Sequence, residues 1–183
     1  MFKKIIYSAK NLGDLRCLCT TSLLIAFYIA LYTLQIPLSS QLRITFTFIP
    51  LAVCGWLFGC IPAMAAGFLC DILGFLFYPT GPYFFGFTVT SVLSGFIYGL
   101  ILYGKTEKNL IGSIILSKAL VTVFLNICLN SVWFAIFYGK ALFALPRITK
   151  NLIMLPIEIV LLFAVIEALI HAGVQKMYKS NQN

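Results

Sequence analysis

Charge is what this chain has least of. Only 10% of its 183 residues are Asp, Glu, Lys or Arg, against about 25% in soluble domains, so it holds too few polar groups to coat a water-facing surface. Acidic side chains number five (Asp14, Asp71, Glu107, Glu158 and Glu167), and His171 is the one histidine. They are scattered, whereas an enzyme acting on lipid needs acids, His or Ser gathered at one depth. The six cysteines, Cys17, Cys19, Cys54, Cys60, Cys70 and Cys128, form no C-x-x-C pair. Each lies in or beside an apolar stretch, where a thiol behaves as a small hydrophobe, so neither metal, disulfide nor cofactor is expected. No G-x-x-x-x-G-K-[ST] phosphate loop occurs, which argues against nucleotide binding by this chain. The net charge of +8 is carried by bases at the ends of apolar runs, the pattern of membrane proteins and not of nucleic-acid binders.

What the chain has in abundance is apolar surface: 61% of its residues, with a mean hydropathy of +1.01. A hydrocarbon core takes about 20 apolar residues per helix, with about 17 tolerated. Six apolar runs can be drawn, over 17–34, 44–58, 62–77, 84–103, 110–138 and 152–172, of which the second is shorter and contains Pro50. The expectation is an all-α integral membrane protein with six transmembrane helices in one membrane domain over 1–183. Residues 1–15 carry charges before a long apolar run and no small-residue cleavage site, so they read as a short cytoplasmic segment before a retained helix. Only Gly59, Cys60 and Ile61 separate the second and third runs, which predicts a tight antiparallel hairpin. An even number of spans puts both termini on one side. That side collects Lys3, Lys4, Lys10, Arg16, Lys105, Lys108, Lys176 and Lys179, against Arg43, Lys140, Arg147 and Lys150 on the other. Eight against four places both termini in the cytoplasm.

The four outer bases have no acidic residue in any outer connection to neutralise them. Such a cluster at the mouth of a helix bundle favours an anionic ligand, although long basic side chains also snorkel to lipid phosphates. Three ionisable residues fall inside spans, where they are costly and usually functional: Asp71, Lys118 and Glu158. A carboxylate there can meet the donor edge of a heterocycle, and an Asp71–Lys118 pair is one arrangement these residues allow. Lys118, Thr122, Asn126 and Asn130 recur every four residues and would form one polar line facing the bundle interior. Small residues recur likewise at Ser22, Ala26 and Ala30 and at Ser91, Gly95 and Gly99. They permit close helix approach, either within the bundle or against a separate membrane subunit.

Between the third and fourth spans runs Tyr78-Pro79-Thr80-Gly81-Pro82-Tyr83-Phe84-Phe85-Gly86-Phe87-Thr88. Its prolines stop the helix, and its aromatic rings offer flat faces to a planar ligand, though aromatics are also usual at membrane interfaces.

The stretches DILGFLFYPTGPYFFGFT at 71–88, LNSVWF at 129–134 and RITKNLIMLPIEI at 147–159, with A-x-x-x-A at 26–30, resemble the folate-specific S components of energy-coupling factor (ECF) transporters. The resemblance runs from the first span to the last. It departs at Phe85, where that family usually has proline, and in Val89-Thr90 and Ser131-Val132, where Leu-Ser and Thr-Leu are more usual. It implies a six-helix S component in the bacterial plasma membrane that binds folate or a reduced folate from outside and has no catalysis of its own. It implies as partners a transmembrane coupling subunit and two ATPase subunits, with the S component toppling in the bilayer to release its ligand inward. Taken with the residues above, it nominates Arg43, Asp71, Tyr83, Phe87, Thr88, Asn130, Trp133, Arg147 and Lys150 for substrate binding. It nominates Ser22, Ala26 and Ala30 for docking on the coupling subunit. An S component for another vitamin, or a non-catalytic structural membrane subunit, is the alternative.

Overall fold

The computed structural model describes residues 8, 13–39, 42–79, 83–105, 109–138 and 144–174. Helix α1, Leu15–Thr33, opens on Asp14, whose carboxylate accepts the backbone N–H of Arg16 at 3.2 Å. That bond satisfies one of the amides left unpaired at a helix start. A short antiparallel ribbon follows, β1 Ile36–Ser39 with β2 Leu42–Ile44, pairing Ile36 with Ile44 and Pro37 with Arg43. Proline is tolerated here because a two-stranded ribbon consists of edges. Then come α2 Phe48–Phe58, α3 Cys60–Phe77 and α4 Phe85–Leu102. The fifth span is composite: α5 Leu110–Leu120, a π-helical segment Val121–Leu129 and α6 Asn130–Tyr138. Helix α7, Ala144–His171, completes the bundle.

Among the described residues five of these helical runs are long and apolar enough to cross a membrane, and α2 is a shorter apolar helix. Large apolar side chains such as Leu23, Leu76, Ile115, Phe124, Ile153 and Val160 point outward, as they must where the solvent is hydrocarbon. The protein is a multi-pass membrane protein.

The centre of the bundle is α2, α3 and α4, and glycine sets its geometry. Gly59, at φ 88°, makes the elbow between α2 and α3, a conformation that a Cβ would strain. Ser8 is buried against that elbow, donating to the Phe58 carbonyl at 3.0 Å and accepting the Ile61 N–H at 3.0 Å. Trp56 Nε1 donates to the Lys105 carbonyl at 3.1 Å and ties α2 to the link after α4. At Gly95 of α4 a Cβ would stand 2.3 Å from the Ala63 carbonyl oxygen of α3. Since that neighbour is backbone, no rotamer change relieves the overlap. Gly95→Val is therefore expected to abolish the monodisperse peak of the detergent-solubilised protein in size-exclusion chromatography. Gly112→Ala, where nothing lies within 4 Å, should leave the peak unchanged.

Several features differ from the sequence pattern. The ribbon is an addition to the all-helical expectation, and α2 begins at Phe48 because residues 42–44 are extended. Helix α7 begins at Ala144 and not at Leu152, so Arg147 and Lys150 lie in its first turns and not in a loop. Pro146 falls within the first turn, where its missing N–H costs nothing. The π segment, with its wider i→i+5 turn, bends the predicted polar line: Lys118 and Thr122 are fully buried, whereas Asn126 and Asn130 are half-buried.

Candidate substrate-binding site

The C-terminal end of α3, the start of α4 and α6 meet at the end of the bundle that carries the ribbon. Two constellations are built there. One is polar. Thr88 Oγ1 donates to Asp71 Oδ2 at 2.7 Å, and Ser91 Oγ donates to Asp71 Oδ1 at 3.4 Å. The Thr88 proton is thereby committed, so the Tyr83 hydroxyl that touches Thr88 Oγ1 is the donor of that contact. The result is a relay from half-exposed Tyr83 through buried Thr88 to Asp71. Both carboxylate oxygens are engaged by hydroxyls of α4, so Asp71 clamps α3 to α4 and braces the wall that Tyr83 occupies. A Lys118–Asp71 pair does not form. Lys118 is instead paired with Glu158 Oε2 at 3.1 Å; sequence spacing could not choose between two carboxylates on different helices.

The other constellation is aromatic. Phe84 lies edge-on to Trp133 at 5.6 Å and to Phe87 at 5.8 Å between ring centroids. Both Phe84 and Trp133 close over Gly86, where a Cβ would stand 2.2 Å from Phe84 Cε1 and 2.7 Å from Trp133 Cδ2. The glycine makes room for the rings. Phe75 packs on Tyr83 at 5.0 Å, and a second aromatic row runs Tyr28–Tyr32–Tyr78 at 6.3 and 6.1 Å. Tyr28 and Tyr32 lie four residues apart on α1, a spacing that puts both rings on one helical face.

Two polar atoms of α6 beside this wall lack a partner among the described residues. The indole Nε1 of Trp133 and the hydroxyl of Ser131 are buried without a hydrogen-bond partner among the described residues. An unpaired buried donor costs about 1–3 kcal/mol, which a ligand acceptor would recover. Beside them Thr90 Oγ1 lies 3.1 Å from both the Gly86 carbonyl and Asn130 Oδ1, fixing the amide of Asn130 across the helix interface.

The basic residues are distributed around the same end. Arg43 stands on β2, and Arg147 and Lys150 stand in the first turns of α7. Lys150 is half-buried; Lys140 and Thr80–Gly81–Pro82 lie outside the described residues. Ser22, Ala26 and Ala30 are all exposed on α1. The small residues of α4 behave differently, since Gly95 and Gly99 meet the backbone of Ala63 and Cys60.

The chain matches the family model described as ECF transporter, substrate-specific component, over residues 16–175. It is similar to a protein named Folate transporter FolT from Clostridium novyi, with 35% identity over 133 residues, 72% of this chain and 74% of that one. A protein of the same name from Leuconostoc mesenteroides is 30% identical over 153 residues, covering 80% and 82% of the two chains. Among solved structures, a FolT crystallised bound with folic acid superimposes with a TM-score of 0.75 at 30% identity, over 83% of this chain and 93% of that one. The S component of a bacterial ECF transporter shares the fold at a TM-score of 0.64 and 19% identity, over 85% of this chain and 96% of that one.

Proposed function

The chain belongs to the substrate-specific components of ECF transporters, and from that membership we propose that it binds folate or a reduced folate at the ribbon end of the bundle. The observation that carries this reading is the wall formed by Phe84, Phe87 and Trp133, with an indole N–H that is unpaired among the described residues. A pterin is flat and rimmed with hydrogen-bonding nitrogens, so it suits such a wall. The glutamate tail of folate is anionic, and Arg43, Arg147 and Lys150 supply the opposite charge on elements bordering the same end. In this reading Asn130 reads the ring edge, Tyr83 and Thr88 line the wall, and Asp71 holds them in place. The ribbon end faces outward, because the opposite side collects eight of the bases that favour the cytoplasm. The chain binds and does not catalyse; ATP hydrolysis belongs to two partner ATPases acting through a transmembrane coupling subunit.

The test is calorimetry and tryptophan-fluorescence titration of the purified protein with folate, without ATP or partners. Saturable binding in the nanomolar to micromolar range is expected, and its absence sinks the reading. Charge-assisted hydrogen bonds contribute about 1.5–3 kcal/mol, so alanine at Arg43, Arg147 or Lys150 should weaken folate about tenfold or more. A pterin lacking the glutamate tail should be affected less. Equal losses for the two ligands would show that these residues shape the ribbon and the start of α7 instead.

A further inference from the structure

The junction around Lys118 buries charge in the bundle. Its side chain is 2% exposed, its ammonium lies 3.1 Å from Glu158 Oε2, and it stands 3.4 Å from the centre of the Phe48 ring. Tyr98 and Thr122 bury hydroxyls nearby on α4 and the π segment without partners among the described residues. Taking two charges out of water costs several kcal/mol per ion, and apolar replacements of buried pairs are often as stable or more so. Stability alone does not explain why this chain keeps the pair.

Direction explains it. Lipid tails are as apolar as leucine, so apolar contacts between membrane helices select poorly among registers. An ion pair and a cation over a ring face are directional. This junction joins three elements: α5 through Lys118, α7 through Glu158, and the first residue of α2 through Phe48. Helix α7 carries Arg147 and Lys150, and α2 is the element that follows the ribbon. Phe48 begins α2 after the short link Thr45-Phe46-Thr47 that leaves the ribbon holding Arg43. Glu158 stands three turns along α7 from Arg147 and about two turns from Lys150.

We propose that Lys118, Glu158 and Phe48 are positioning residues that set the ribbon and the start of α7 at the spacing an anionic ligand tail requires. They touch no ligand themselves. The tail-selective part of this inference rests on the folate reading above; the geometric part does not.

The experiment compares wild type with the double variant Lys118→Met/Glu158→Met, which replaces both charges by side chains of similar volume. Three quantities are read: thermal midpoint, amide hydrogen exchange by mass spectrometry without ligand, and affinity for folate and for a pterin without the glutamate tail. The expected result is a midpoint no lower than wild type and faster exchange across 36–48 and 144–152, with unchanged exchange across 60–102. Folate affinity should fall about tenfold or more while the tailless pterin stays within about twofold. Unchanged exchange in the two segments overturns the proposal, and so does an equal loss for both ligands. Should the double variant fail to fold, Phe48→Leu removes the ring face and leaves the ion pair intact. It should shift exchange and ligand preference in the same direction, and wild-type values for both would be equally fatal. If wild type itself binds no folate, the folate reading fails, while the exchange data still decide whether the junction positions the two segments.

Discussion

Replacing Ala26 or Ala30 with tryptophan is expected to leave folate affinity within about twofold of wild type and to abolish uptake. Both alanines are exposed on α1, as is Ser22 one turn before Ala26. Close approach of another helix at such a face depends on the absence of bulk, because van der Waals contact is a main driving force between helices in lipid. A tryptophan there holds the backbones apart, so the variant should fail to co-purify with the coupling subunit. Two measurements on the same preparation decide it: ligand titration of the isolated protein, and pull-down or vesicle uptake with the full complex. A variant that aggregates or loses ligand binding would mean that this face serves the bundle. One that assembles and transports normally would mean that it faces only lipid.

The second large effect is expected at Trp133. Truncation to alanine removes a ring that packs edge-on to Phe84 above Gly86 together with the buried indole donor. Aromatic anchors of this kind contribute about 2 kcal/mol or more, so Trp133→Ala should weaken folate on the order of thirty-fold. Trp133→Phe separates the two contributions. It keeps a ring and deletes the N–H, and a net hydrogen bond of about 0.5–1.5 kcal/mol predicts a loss of about two- to tenfold. Because the wild-type donor is unpaired among the described residues, Trp133→Phe should not lower the thermal midpoint of the ligand-free protein. A lower midpoint without any change in affinity would show that the indole N–H serves the fold and not the ligand.

Much of the architecture could be read in the chain because a bilayer imposes a simple rule. Backbone polar groups in hydrocarbon must be satisfied within a helix, so long apolar runs mark helices whatever packs beside them. The loop chemistry was equally legible: α3 ends at Phe77, two residues before Pro79, and the aromatics on either side of Gly86 lie together where the pattern put them. Where local and tertiary preferences diverge, the pattern was insufficient. Arg147 and Lys150 looked like loop residues because basic residues mark span ends, yet their backbone is helical from Ala144 onward. Polarity and helicity are separate properties, and a helix can outrun the membrane.

Composition and apolar run length by themselves determined that this chain lives in a membrane and that successive apolar runs form its helices. These properties depend on transfer free energy, which is a sum over residues. Tertiary structure alone decided that Lys118 answers Glu158 and not Asp71, that Asp71 is held by Thr88 and Ser91, and that the fifth span widens into a π turn. It also decided that the small stripe of α4 packs inward while that of α1 faces out. The physical reason is that hydrogen bonds, ion pairs and close backbone contacts act within a few ångströms between residues far apart in the chain. Which of several chemically equal partners comes within that range is set by the packing of whole helices.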